Sequence, residues 1–167
     1  MTSIEIRVLS PAGIEDYHAH LLRLDMSERK LRFAQENDDR GIDGHCLRLL
    51  AAQAIVIGGY VDGVLRTGVE IVLDRTARRA EAIVTTEPKF SLGGATRMLL
   101  SRMVDEARRY HLTELTLHGF SDASELERIA QPGSIQLVAG APATLRFEAP
   151  VMPVVASPPA AMIASYA

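Results

Sequence analysis

Directly after the small-residue run Ser91-Leu92-Gly93-Gly94-Ala95, the chain carries an apolar stripe that only a helix gathers onto one face. Leu99, Leu100, Met103, Val104, Ala107 and Tyr110 recur at helical spacing, with Arg102, Asp105, Glu106, Arg108 and Arg109 on the other side. A helix over 94–111 with so wide a stripe has to lie against a sheet or against other helices. Its flanks decide which. Before it, Ala82, Val84 and their neighbours read as a strand, and after it Leu115 and Leu117 alternate with Thr116 and His118. Strand, long amphipathic helix, strand is a crossover unit, so these two strands are predicted to run parallel with a right-handed connection.

The rest of the chain builds around that unit. Ile4, Ile6 and Val8 alternate with Glu5 and Arg7 as in a half-buried strand. Ser10-Pro11 is expected to open a helix, with Ser10 as its N-cap. Ile14, Tyr17, Leu21 and Leu24 form the apolar face of that helix. Further helices are predicted over 27–35 and 38–53. From 54 to 61 the chain is β-branched, and Asp62-Gly63 follows, a pair suited to the positive φ angles of a type I′ hairpin turn. The return strand covers 64–73 and the next 81–86, which completes an antiparallel meander. A helix over 122–131 and two closing strands, around Ile135/Leu137 and Leu145/Phe147, finish the domain. Residues 150–167, rich in proline and alanine, read as a separate tail.

At 167 residues, 47% hydrophobic and 23% charged, the chain has the balance of one globular domain. A net charge of −3 gives no basic footprint for nucleic acid. The N-terminus lacks a secretory pattern, and no apolar run approaches the ~20 residues of a membrane span. Cys46 is the single cysteine, which rules out an internal disulfide and fits a reducing cytoplasm. His18 and His20 stand two apart, on different faces of their helix, so no metal site is expected.

The order of elements and three local segments carry a resemblance. Ser27-Glu28-Arg29-Lys30-Leu31-Arg32-Phe33 is similar to the segment after the first helix in GNAT domains of bacterial protein-lysine acetyltransferases. Ala80-Glu81-Ala82-Ile83-Val84 looks like the central strand of the GNAT superfamily. Gly93-Gly94-Ala95-Thr96-Arg97-Met98-Leu99 aligns with the end of its Q/R-x-x-G-x-G/A signature. The resemblance spans about residues 3–149. It implies one α/β (α+β) domain with a mixed, mostly antiparallel sheet flanked by helices. It also implies acyl transfer from acetyl-CoA, or another acyl-CoA, to an amine on a small molecule or a protein lysine. A homodimer is common in that superfamily.

The glycine loop has a physical rationale of its own. Backbone N–H groups at a helix N-terminus bind a pyrophosphate without cationic side chains, and small residues let the phosphates approach. Ser91, Leu92, Gly93, Gly94, Ala95 and Thr96 are therefore the expected phosphate cradle. The family's polar anchors fall on Phe90 and near Leu92 in this chain. The resemblance places Val84, Thr85 and Thr86 along the pantetheine arm. It makes Glu81 the leading catalytic base, with Glu70 second, and brings Ser121 or His118 to the place of a general acid. The family's asparagine position falls on Ala123, and no tyrosine follows before the tail. Three functional readings stay open: an N-acyltransferase; a catalytically weak acyl-CoA-binding or regulatory module; and a fold that no longer binds CoA and serves as an interaction domain, a reading that Phe90 and Leu92 support.

Overall fold

A computed structural model describes residues 2–33, 38–90, 94–120, 122–130, 135–138, 140 and 142–148, with only the backbone of Leu31 and Ala123. The proposed tail, 150–167, lies outside the described residues. Strand β1 (Ile4–Val8) leads through a 3-10 turn over Pro11–Gly13 into α1 (Ile14–Arg23), α2 (Met26–Phe33) and α3 (Asp39–Ala51). Strands β2 (Ile55–Val61), β3 (Val64–Asp74) and β4 (Arg79–Thr86) follow. A second 3-10 turn over Pro88–Phe90 precedes α4 (Gly94–Arg109), β5 (Glu114–His118), α5 (Ala123–Ala130), β6 (Ile135–Val138) and β7 (Ala143–Phe147).

The seven strands form one sheet in the order β1-β2-β3-β4-β5-β7-β6. β4 and β5 pair in parallel, as a crossover through α4 requires, and every other neighbouring pair is antiparallel. Asp62 and Gly63 turn the β2–β3 hairpin with φ of 50° and 79°, both in the left-handed region the Asp-Gly pair predicts. Asp38 caps α3 by accepting from the Gly41 amide. Ser10 departs from expectation. It occupies a cap position, but its side chain makes no cap bond and the chain passes through a 3-10 turn first.

Each face of the sheet buries its own core. On one side Leu99, Leu100, Met103, Val104 and Ala107 of α4 meet Ile57, Val69, Ile71, Ala80, Ala82 and Val84, together with Leu115, Leu117 and Leu145. On the other, Tyr17, Leu21, Leu24, Ile42, Cys46 and Leu49 of α1 and α3 lie on Val56, Tyr60 and Leu65. Fully burying one such aliphatic side chain contributes about 1.5–3 kcal/mol. Among the described residues, no helix is long and apolar enough to cross a membrane.

Candidate functional site

Strand alternation assigns the side chains of β4 to two tasks. Ala80, Ala82 and Val84 point into the core beneath α4, so Glu81, Ile83 and Thr85 point to the face that carries α1–α3. The register pairs Glu81 with Thr116 and Ile83 with His118, which puts His118 on the same face. There the surface opens into a cleft of about 780 Å³. Glu81, Ile83, Val84, Thr85, Leu117 and His118 line it from the sheet, and Glu28 and Arg32 from α2.

The backbone is also unusual at this point. Pairing of β4 with β5 ends at Ile83–His118, while pairing with β3 continues to Thr86. Gly119 then turns the chain away with φ 73°, and it passes so close to β4 that a Cβ on Gly119 would stand 2.7 Å from the Val84 carbonyl oxygen. The Glu87 amide donates to Arg66 O on the β3 side. By alternation, the backbone groups of Val84 and Thr86 face the β5 side. The Val84 carbonyl and the Thr86 amide thus lie beyond the last β5 partner, and Val84 itself lines the cleft.

Glu81 is well exposed, at 69%, and its Oε2 stands 3.2 Å from His118 Nε2. That is a close approach rather than a hydrogen bond, because Nε2 lacks a partner with hydrogen-bond alignment among the described residues. Glu70, the second candidate base, has a different role. Its carboxylate is 1% exposed and accepts from Tyr17 Oη at 2.6 Å and Arg32 at 2.5 Å, with His45 Nε2 at 2.8 Å. Burial alone would push its pKa up. The hydrogen bond with His45, the charge of Arg32 and the Tyr17 hydroxyl together outweigh that and hold it below the ordinary carboxylate range. A carboxylate so committed is an anchor for α1, α2 and α3.

A second buried group sits behind Thr85. His20 Nε2 lies 3.0 Å from Thr85 Oγ1, and His20 Nδ1 lies 3.4 Å from Glu87 Oε1. Glu87 also accepts from Arg23 at 2.9 Å and from Arg66 at 2.8 Å. Thr85 and Thr86 were expected along a cofactor arm. Thr85 lines the cleft but turns its hydroxyl inward to His20, and the Thr86 hydroxyl is shared with Thr67 at 2.7 Å.

Ser91, Leu92, Gly93 and Ser121 lie outside the described residues. At the start of α4, Gly94 is exposed, whereas Ala95 and Thr96 are buried and Thr96 Oγ1 donates to Phe90 O at 3.3 Å. The side chains of Ala95 and Thr96 therefore serve the core, and only their backbone amides remain for an anion. A Cβ built on Gly94 meets Ile4 Cδ1 at 3.5 Å, an ordinary contact. A cation does reach Phe90, where the resemblance expects a polar anchor. The Arg66 guanidinium lies 5.1 Å from its ring centroid, although Arg66 is paired with Glu87.

The structure thus brings Glu81, Val84, Thr85 and His118, all candidates from the sequence, to one cleft, and adds Glu28 and Arg32. The parallel register of β4 and β5 is the signal that would have promoted His118. Glu28 and Arg32 already stood in the segment 27–33, but without assigned roles.

No protein-family model matches the sequence, and no curated protein matches it. Solved structures match the fold. One from Salmonella typhimurium, with its cofactor acetyl-CoA, has a TM-score of 0.53 at 21% identity, covering 86% of this chain and 91% of that one. The PaiA N-acetyltransferase of Thermoplasma acidophilum, in complex with coenzyme A, gives 0.55 at 15% identity, over 87% and 99%. An acetyltransferase of the GNAT family from Streptococcus pneumoniae gives 0.56 at 13% identity, over 86% and 96%. Shared with these proteins is the fold: one α/β domain whose seven-stranded, mostly antiparallel sheet is flanked by helices.

Proposed function

We propose that this chain is an acyl-CoA-dependent N-acyltransferase that moves an acetyl group from acetyl-CoA to an amine by direct attack on the thioester. The cleft where β4 outruns β5, with Glu81 and His118 side by side on its wall, carries this reading. The glycine start of α4 and fold-neighbours solved with acetyl-CoA or coenzyme A support it.

In the proposed reaction the acyl-CoA pyrophosphate rests on the backbone amides around Gly94, and the pantetheine arm runs along Val84–Thr86. The acceptor enters the cleft as a neutral amine. Its nitrogen attacks the thioester carbon and forms the C–N bond, and Glu81, directly or through water, takes the proton released. The C–S bond breaks, and the thiolate receives a proton from the side of His118. An amide and free coenzyme A are the products.

Acetyl-CoA should raise the melting temperature, and thiol release with a panel of amines should follow. Glu81→Gln should lower kcat about a hundredfold, the lower end of what a general base contributes, while the acetyl-CoA shift stays intact. Unchanged turnover would remove Glu81 from the chemistry. A second reading, an acyl-CoA-binding module without turnover, draws on Ala123 at the family's asparagine position, and a melting shift without thiol release would favour it.

A further inference from the structure

The charged groups around the cleft are not equally free. Arg32 faces it, but its guanidinium is held by the buried carboxylate of Glu70 at 2.5 Å, so its charge is neutralised from behind. Glu81 has His118 beside it. Glu28 differs from both. Its backbone amide donates to Asp25 Oδ1 at 2.9 Å, which sets the start of α2. Its carboxylate meets no partner among the described residues. Arg32 follows one helical turn later and would ordinarily pair with it, but the bond to Glu70 draws that guanidinium inward.

Among the described residues that line the cleft, Glu28 is thus a carboxylate with no basic side chain beside it, and a cleft holding such a group favours a cationic guest. We infer that Glu28 sets acceptor specificity by holding a second ammonium group, so that the favoured acceptors are small aliphatic diamines or polyamines. One nitrogen, neutral, would react beside Glu81 while the other, still protonated, pairs with Glu28. This rests on the transferase reading above and sharpens its acceptor class. Glu28 touches the substrate away from the reacting atoms, so it acts through KM more than through kcat.

The test is thiol release from acetyl-CoA with a series of linear diamines and the monoamines of matched length, on the wild type and on Glu28→Gln. Glutamine keeps the shape and leaves the backbone cap at Asp25 untouched, so the melting temperature should not change. The expected result is a preference of about tenfold or more in kcat/KM for a diamine over its matched monoamine. That preference should vanish in Glu28→Gln, through a raised KM for the diamine with kcat little changed. Equal use of diamines and monoamines by the wild type would overturn the inference, as would a preference that survives Glu28→Gln. Each of those outcomes leaves the transferase standing. Absence of thiol release with every amine tested would instead remove the transferase reading, and this inference with it.

Discussion

His20 has no exposed surface and uses both ring nitrogens, one toward Thr85 and one toward Glu87. Burial pushes its pKa from 6.5 down to about 4, against the pull of Glu87. Between those values the unfolded chain binds a proton that the folded chain refuses. Stability from this group is therefore complete above about pH 6.5 and is lost as pH falls toward 4, by about 1.4 kcal/mol per unit. Glu70 and Glu87, both held below the ordinary carboxylate range despite burial, extend the loss to lower pH. Urea melts from pH 7 to 4.5 should show the slope, and His20→Gln should flatten it. Glu70→Gln should cost about 3–5 kcal/mol at pH 7, because it strands the Arg32 guanidinium without its counter-charge; the same melts measure it. None of this was readable in advance. Glu70 stands in a strand whose neighbours are Val69 and Ile71, and its partners come from three helices far away in sequence.

At the scale of elements, local chemistry foretold most of what formed. The alternation in β1, the Asp-Gly turn and the stripe of α4 each follow from periodicity or from the φ angles that a residue tolerates. Registers were less legible, because they depend on which long-range pairs bury the most surface. The end of the β4–β5 pairing is such a case, and Gly119 is its hinge. Gly119→Ala would place a methyl 2.7 Å from the Val84 carbonyl at a positive φ, so it should destabilise by about 1–3 kcal/mol and narrow the cleft. Gly63→Ala provides the control. It too has a positive φ, 79°, but nothing lies within 4 Å, so only about 1 kcal/mol of backbone strain is expected. Thermal melts of the two variants should rank them in that order.

For the molecule as a whole, the acyl-CoA reading makes stability depend on ligand. At a hundred times its dissociation constant, acetyl-CoA should add about 2.7 kcal/mol, visible as a rise in melting temperature. Gly94→Leu should abolish that rise without unfolding the chain, since among the described residues the space at Gly94 meets only the end of Ile4. An unchanged ligand shift in Gly94→Leu would place the phosphates elsewhere. The sequence pointed to this region through glycine chemistry and named Glu81 and His118, whereas Glu28 stayed without a role because only the tertiary fold brings it to the cleft that they line. The one-sided pairing of β4 has a last consequence. The Thr86 amide, past the final β5 partner, is a natural clock for the site: its hydrogen should exchange with solvent deuterium rapidly in the free protein. An acyl-CoA arm laid along the strand should slow that exchange, so one backbone hydrogen reports occupancy before any chemistry takes place.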